Sequence, residues 1–331
     1  MHRQGNQTSA DGGARAAGLL KRGLKLALLL VLLGYVALSM RAQADALASV
    51  FSVRMLPALA AAGLCLVLNQ VLMAYRQVLL LRHAGTEVPL ADCLRITFAG
   101  LFANNFMPAG TGHDLTRLVY LRGYGSQTAA SLGGLVLLDR FLGLMGLSVL
   151  AMCGFAALAL FYPAAVPGEA GRLLLYATLL PLPLGLVILA LRHGATFDLL
   201  SALAGRLPLG GKFQELLAGM RRFSARKRVL LAGLGLSTLG FAVAVLGVSL
   251  ITYTLHDMHA AIGSTLVSPL VFLASSVPVT PANLGWTEAV AGAAWAAFGL
   301  QGGLLIFLLW RAVTCVVSLG GAAAYYKLRL P

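Results

Sequence analysis

Long blocks of apolar residues, separated by short polar or basic stretches, make up most of the chain. A helix needs about 20 apolar residues, and no fewer than about 17, to span the hydrocarbon core of a bilayer. Six blocks reach this length: Leu24–Met40, Met55–Tyr75, Leu132–Tyr162, Leu173–Leu191, Val229–Leu255 and Gly303–Tyr326. Because buried strands are much shorter, the pattern predicts an all-α, polytopic integral membrane protein.

Two further apolar stretches, Leu94–Met107 and Ile262–Val277, each run into helix-breaking residues and then into more apolar sequence. The breaking residues are Pro108, Gly110 and Gly112 in the first case and Pro278, Pro281 and Gly285 in the second. This pattern is typical of broken or re-entrant segments rather than of simple spans. We therefore expect roughly six to eight or more membrane helices with two broken hairpins. For the second region, two full crossings are the alternative.

Charged residues are scarce and mostly basic. Only 11% of the residues are charged, whereas soluble domains carry about 25%, which excludes a soluble enzyme and a disordered chain. The formal net charge is +14, and the excess Lys and Arg lie beside apolar blocks, as in cytoplasmic loops of membrane proteins. No basic stretch carries a recognition fold for nucleic acid. We therefore expect the membrane as a partner and no nucleic acid.

The basic residues also predict the orientation of the chain. The polar lead 1–23 and the amphipathic connector 192–228 are both rich in Lys and Arg, so both are expected in the cytoplasm. The basic end of the connector is expected to rest on anionic lipid. The last helix then also ends inside, beside Lys327 and Arg329. We expect a multi-pass protein of the inner (plasma) membrane with cytoplasmic N- and C-termini.

The order of the segments predicts two similar halves, 24–165 and 173–326. Each half contains two helices, a broken hairpin and a long helix, but the two halves start from opposite sides of the membrane. Inverted repeats with discontinuous helices that meet near the midplane are a recurring transporter plan. We therefore expect one transmembrane domain, 1–331, with an inverted repeat.

The first break carries an unusual concentration of polar residues for membrane depth. Asn104 and Asn105 can donate and accept hydrogen bonds, while Asp114 and Arg117 are three residues apart and would share one face of a helix. We interpret this segment as a polar vestibule for a headgroup. The alternative is an interfacial loop whose polar residues cap neighbouring helices.

Further charges lie inside predicted helices or beside the second break. A charge at the bilayer centre costs about 2.5–3.5 kcal/mol, so Asp139, Arg140 and Arg311 should face a partner or a water-filled cavity. Across an inverted repeat, Arg140 and Arg311 could form a fork for a lipid phosphate. The alternative pairs Arg140 with Glu288 or Asp114, or lets Arg311 reach the interface. Glu288 could balance an arginine, take up a proton, or be a first-turn carboxylate.

Three segments also form a spaced set of motifs. They are Asn104–Arg117, with the pattern N-N-x-x-P-x-G-x-G-x-D-x-x-R, Leu138–Leu144, with the sequence LDRFLGL, and Pro278–Glu288, with the pattern P-x-x-P-x-x-x-G-x-x-E. Together they resemble the flippase-like family named after the transmembrane region of lysylphosphatidylglycerol synthases. The order and spacing match over nearly the whole chain. The resemblance implies an all-helical membrane domain that moves lipids.

The chain departs from the family pattern at three positions. Ala109 and His113 stand where glycines are usual in the first motif, and Ala282 replaces a glycine in the third. We expect these sites to be tighter or more polar than in typical members. The synthases of this family also bear a soluble aminoacyl-transferase domain, and these 331 residues contain no hydrophilic segment that would form one. Lysyl transfer is therefore not implied.

Together these patterns predict a flippase-like transporter that moves an anionic lipid or lipid-linked intermediate between leaflets. We expect no enzyme activity, no cofactor and no metal, since His256, Asp257 and His259 lack a further ligand and no catalytic arrangement stands out. The alternatives are a non-transporting subunit that assists a lipid- or glycan-modifying enzyme, and an integral-membrane lipid transferase. The candidate substrate-binding residues are Asn104, Asn105, Asp114, Arg117, Asp139, Arg140, Glu288 and Arg311.

Overall fold

The computed structural model describes residues 55–105, 111–125, 128–161, 193–206, 210–224, 226–277 and 279–327, with positions 179, 183, 185, 186 and 191. Within these residues the chain is helical and contains no β-strand. They all belong to one contact unit of the chain, Val50–Pro331. The predicted lead 1–23, the helix Leu24–Met40, most of Leu173–Leu191 and the break residues Pro108, Gly110 and Pro278 lie outside the described residues.

Ten α-helices occupy the described part of the chain. They are α1 Met55–His83, α2 Leu90–Asn104, α3 Gly112–Leu121, α4 Ala129–Phe161, α5 Gly194–Gly205, α6 Gly210–Phe223, α7 Lys227–Leu255, α8 Met258–Ser275, α9 Trp286–Ala297 and α10 Gly303–Lys327. Two 3-10 turns, Arg122–Tyr124 and Pro281–Asn283, follow α3 and precede α9.

Five of these helices, α1, α4, α7, α8 and α10, are long and apolar enough to cross a membrane by length and composition. The prediction of an all-helical, polytopic membrane protein is thereby confirmed. Four predicted apolar blocks coincide with α1, α4, α7 and α10, and α8 covers the apolar stretch before the second break.

Helix α1 is longer than the sequence pattern predicts. The predicted span ends at Tyr75, because a charged residue follows it, but α1 extends to His83. Arg76 and Gln77 are only 3% and 1% exposed, so they face the interior of the bundle. A charged side chain can continue a membrane helix where the interior supplies its partner.

The first break brings the end of α2 against the start of α3. A Cβ atom at Gly112 would lie 2.5 Å from the backbone of Ala103, and 2.6 Å from the backbone nitrogen of Asn104. Only glycine permits such an approach, because any side chain would overlap a neighbouring backbone that cannot move aside.

The second break follows α8 and depends on left-handed backbone conformations. Ala282, Asn283 and Gly285 have φ angles of 51°, 54° and 77°. Helix α9 then runs for 12 residues, or about 18 Å, which is shorter than the roughly 30 Å hydrocarbon core. Helix α9 therefore does not cross the bilayer by itself. The re-entrant course of the two hairpins stays a prediction.

The helix contacts repeat between the two parts of the chain. Helices α1 and α7, each of 29 residues, pack along each other. Helix α2 packs against α10 in the same way that α8 packs against α4, and the pairs α1–α2 and α3–α4 correspond to α7–α8 and α9–α10. Each long helix therefore contacts the broken segment of the other part.

Helix α6 crosses α4 at a contact made by two glycines. A Cβ atom at Gly134 of α4 would lie 2.6 Å from the carbonyl oxygen of Leu216, and one at Gly219 of α6 would lie 2.6 Å from the carbonyl oxygen of Ser131. Because neither helix carries a side chain at the crossing, the two backbones are in direct contact. Helix α6 belongs to the predicted cytoplasmic connector.

We predict that Gly112→Ala lowers the free energy of unfolding by about 1–3 kcal/mol, the usual cost of inserting a methyl group where there is no room. Thermal unfolding of the purified protein in detergent measures this change. Gly211→Ala is the matched control, since nothing lies within 4 Å of a Cβ atom at this helical position. An equal effect of both substitutions would contradict the close approach at Gly112.

We also predict that Ala282→Gly raises the free energy of unfolding by up to about 1 kcal/mol. The left-handed conformation of Ala282 costs an alanine roughly 1–2 kcal/mol, and the greater freedom of glycine in the unfolded chain offsets part of this gain. Ala289→Gly, at an exposed position inside α9, should instead destabilise by about 1 kcal/mol. A fall in the midpoint of thermal unfolding for Ala282→Gly would refute the prediction.

Candidate functional site

A cavity of about 390 Å³ lies between α1, α2, α3, α4, α7 and the second break, and we call it the central cavity. Its titratable lining residues are Arg76, His113, Asp114, Arg117, Asp139 and Arg140. Its amide and hydroxyl residues are Asn69, Gln70, Asn104, Ser275, Ser276 and Asn283. Both break regions therefore contribute polar groups to one cavity inside an apolar bundle.

Asp139 of α4 is the centre of the buried charge network. Arg76 Nη2 of α1 lies 2.7 Å from its Oδ1 atom, and Arg117 Nη1 of α3 lies 2.5 Å from its Oδ2 atom. The three residues are between 3% and 5% exposed. Buried charges need well-placed partners to offset the loss of water, and here one carboxylate serves two guanidinium groups. The network joins three helices and keeps one excess positive charge.

Arg76 also ties this network to α7. Its Nη1 atom donates to the hydroxyl oxygen of Ser237, which in turn donates to the carbonyl oxygen of Gly233 at 2.8 Å. A Cβ atom at Gly146 of α4 would lie 2.7 Å from Cβ of Ser237, so α4 and α7 approach closely at this level. Four helices are thus held together around the carboxylate of Asp139.

A second ion pair lies at the edge of the cavity. Arg140 Nη2 contacts Asp114 Oδ2, and the two side chains are 44% and 20% exposed. Asp114 and Arg117, which the spacing predicts on one face of a helix, pair with two adjacent residues of α4, Arg140 and Asp139. This ion pair is much more accessible than the network around Asp139.

A third ion pair closes the second break. Arg311 Nε of α10 donates to Glu288 Oε1, Nη1 donates to the carbonyl oxygen of Ala282 at 3.0 Å, and Nη2 donates to that of Asn283 at 2.9 Å. Glu288 Oε2 accepts a hydrogen bond of 2.9 Å from the backbone nitrogen of Gly285. One arginine thereby satisfies backbone groups that the interrupted helix leaves free.

The structure does not bring Arg140 and Arg311 together as a phosphate fork. Each has its own carboxylate partner, and of the two only Arg140 lines the central cavity. The pair formed by Arg140 is the one with Asp114 that the sequence left as an alternative. Glu288 balances Arg311 and also caps the start of α9.

The asparagines of the two breaks have different surroundings. Asn105 Nδ2 donates to the hydroxyl of Ser318 at 2.6 Å, which ties the first break to α10. Asn104 lines the cavity, and Asn283 does so while its Nδ2 atom donates to the carbonyl oxygen of Ser275. Asn104 and Asn283 are therefore placed to contact a bound molecule, whereas Asn105 joins two helices.

Several buried polar atoms of cavity residues lack a hydrogen-bond partner within the described part of the chain. These atoms are Asn69 Nδ2, Arg76 Nε, Asn104 Oδ1, Arg117 Nε and Asn283 Oδ1. An unsatisfied buried donor or acceptor costs about 1–3 kcal/mol. The cavity therefore favours water or a polar ligand that both accepts and donates hydrogen bonds.

Seven polar residues of the cavity were not among the predicted site residues: Asn69, Gln70, Arg76, His113, Ser275, Ser276 and Asn283. A signal for Asn69 and Arg76 exists, since they are seven residues apart and lie on one face of a helix, but the predicted span ends before Arg76. His113 stands at a glycine position of the motif and packs over Gly100, where a Cβ atom would lie 2.7 Å from His113 Cδ2. Its imidazole adds polar surface to the cavity wall, as expected for this departure.

No group of three or more His, Cys, Asp or Glu residues in the described ranges could hold a metal ion. Asp257, which the sequence places beside His256 and His259, accepts a hydrogen bond of 2.7 Å from the backbone nitrogen of Ala260 and caps α8. Its carboxylate therefore has a structural role at the start of a helix.

Five apolar helices of membrane length around a network of buried charges define a polytopic integral membrane protein. The family model for the lysylphosphatidylglycerol synthase transmembrane region matches residues 23–321, and the chain belongs to this family. The resemblance inferred from the three motifs is thereby confirmed, and the protein is a membrane protein of a lipid-related family. No curated protein and no solved structure matches the chain.

We predict that Asp139→Asn lowers the free energy of unfolding by about 3–5 kcal/mol, because it leaves two buried guanidinium groups without a counter-charge. Chemical unfolding in detergent, followed by circular dichroism, measures the change. Arg95→Gln is the matched control, since Arg95 pairs with Asp92 while 59% exposed, and an exposed ion pair contributes at most about 1 kcal/mol. Similar losses for both variants would argue against the central role of Asp139.

Proposed function

We propose that the protein is a flippase-like transporter that moves an anionic lipid, or a lipid-linked intermediate, between the leaflets of the inner membrane. The observation that carries this proposal is the central cavity, where three arginines and two aspartates lie among apolar helices. A phosphate group is the anionic part of such lipids, and guanidinium groups bind phosphate with strong, often bidentate hydrogen bonds.

The charge balance of the cavity supports an anionic ligand. Among the described lining residues, Arg76, Arg117 and Arg140 exceed Asp114 and Asp139 by one positive charge. A net charge at membrane depth is costly, so a headgroup with one negative charge would be neutralised there. The volume of about 390 Å³ is within the usual range of ligand pockets, roughly 300–1,000 Å³.

The lining of the cavity also suits a lipid. Part of the lining is apolar and includes Leu101, Leu144, Leu147 and Phe241. The rest carries the charges and the unpaired amide atoms. An amphipathic molecule would therefore find a polar surface for its headgroup and an apolar surface for the part that follows it.

We further propose that the two halves form the inverted repeat expected from the sequence, with both termini cytoplasmic. The repeated helix contacts support two equivalent halves. Asp114 is the third residue of α3 and Glu288 the third residue of α9, and each pairs with an arginine of the long helix that follows, Arg140 or Arg311. The same acid–arginine pairing thus recurs at the same place in both halves.

Transport is tested in proteoliposomes that contain a headgroup-labelled anionic lipid, by following the fraction of label accessible to a membrane-impermeant quencher. We predict that the wild-type protein equilibrates the label between leaflets and that Arg117→Gln slows the exchange at least tenfold. The exposed variant Arg95→Gln is the control for incorporation and folding. A wild-type protein that leaves the label in its original leaflet would refute transport and would favour a non-transporting subunit or a lipid transferase.

A further inference from the structure

The two acid–arginine pairs of the proposed repeat differ in how tightly they are held, and this difference has a functional meaning if the central cavity binds an anionic headgroup as proposed above. Both carboxylates lie in the first turn of the helix after a break. Both arginines lie on the next long helix. The comparison is therefore between equivalent pairs within one chain.

In the second half, every nitrogen of the guanidinium group and both oxygens of the carboxylate have a hydrogen-bond partner. All three donor nitrogens of Arg311 are engaged, by Glu288, Ala282 and Asn283, and both carboxylate oxygens of Glu288 are engaged, by Arg311 and Gly285. The side chain of Glu288 is 4% exposed. Opening this pair would leave the buried carboxylate of Glu288 without its counter-charge and the carbonyl groups of Ala282 and Asn283 without their donor, at high cost.

Within the part of the chain that the structure describes, one contact, between Arg140 Nη2 and Asp114 Oδ2, holds the pair in the first half. Within the described ranges, Asp114 is the charged partner of Arg140, whose side chain is 44% exposed and lines the central cavity. Partly exposed ion pairs of this kind contribute little to stability. The remaining guanidinium nitrogens of Arg140 can therefore reach another anion.

The carboxylate of Asp114 stays stabilised after it separates from Arg140. It lies in the first turn of α3, where the free backbone N–H groups and the helix dipole stabilise a negative charge. Separation from Arg140 therefore does not leave the carboxylate in an unfavourable environment. The guanidinium, in contrast, would need a new counter-charge.

We propose that the Asp114–Arg140 pair is exchangeable, and that an anionic headgroup binds by displacing the carboxylate of Asp114 from Arg140. In the empty cavity the carboxylate of Asp114 binds Arg140, and it therefore competes with the headgroup for this arginine. It sets a threshold for binding, since a ligand must offer Arg140 more than the single contact that Asp114 makes. A phosphate group meets this requirement through two parallel hydrogen bonds. The Glu288–Arg311 pair stays closed throughout and maintains the second break.

The test compares lipid binding by five purified proteins: wild type, Asp114→Asn, Arg140→Gln, the double variant Asp114→Asn/Arg140→Gln, and Glu288→Gln. Native mass spectrometry in detergent measures the bound fraction of phosphatidylglycerol, which carries one negatively charged phosphate, and of diacylglycerol, which carries no phosphate and no charge. Thermal unfolding of each variant shows whether it is folded.

Asp114→Asn should raise the affinity for phosphatidylglycerol about fivefold, because the lipid phosphate no longer competes with a carboxylate for Arg140. Arg140→Gln should lower this affinity at least tenfold, and the double variant Asp114→Asn/Arg140→Gln should bind as weakly as Arg140→Gln. Glu288→Gln should unfold at a lower temperature and show no gain in affinity. Binding of diacylglycerol should stay unchanged in Asp114→Asn, because it has no phosphate to offer Arg140.

The outcomes separate this inference from the proposed function. If the wild-type protein binds both lipids equally, the cavity does not select anions and the proposed function itself fails. If the wild type prefers phosphatidylglycerol but Asp114→Asn binds it no better, the exchange at Arg140 is overturned while anion binding stands. A gain of similar size in Glu288→Gln would equally overturn the distinction between the two pairs.

Discussion

The fold depends on one carboxylate, Asp139, which balances two buried guanidinium groups from two other helices. Without it, Arg76 and Arg117 would be unpaired cations among apolar residues, and their mutual repulsion would separate α1 from α3. With it, the three helices must meet at one level. The network therefore fixes one part of the wall of the central cavity, and the more accessible pair of Arg140 and Asp114 lies beside it.

The two interrupted helices also have polar groups that need partners, and these groups belong to the backbone. Each break frees N–H and carbonyl groups, which cannot remain unsatisfied at membrane depth. In the second break Arg311 supplies donors to the two carbonyl groups of Ala282 and Asn283, while Glu288 accepts from Gly285. In the first break Asn105 bonds to Ser318. Side chains from the last helix thus hold both breaks in place.

Much of this arrangement could be predicted from the sequence. Block length predicts the spanning helices, and the rule that membrane charges need partners singles out Asp139, Arg140 and Arg311. Which charges pair could not be predicted, because pairing depends on how helices far apart in sequence pack. Arg76 was missed for a related reason. An arginine that follows an apolar block usually marks the end of a membrane helix, and only the ion pair with Asp139 of α4 shows that Arg76 has a buried partner.

The glycine crossing of α4 and α6 has a mechanical consequence. With two backbones in contact at Gly134 and Gly219, no flexible side chain can absorb a displacement between the helices. Helix α4 carries two of the charges that line the central cavity, Asp139 and Arg140. A displacement of α6 toward α4 at this crossing would therefore move the backbone that holds these two charges, because no side chain lies between the two helices.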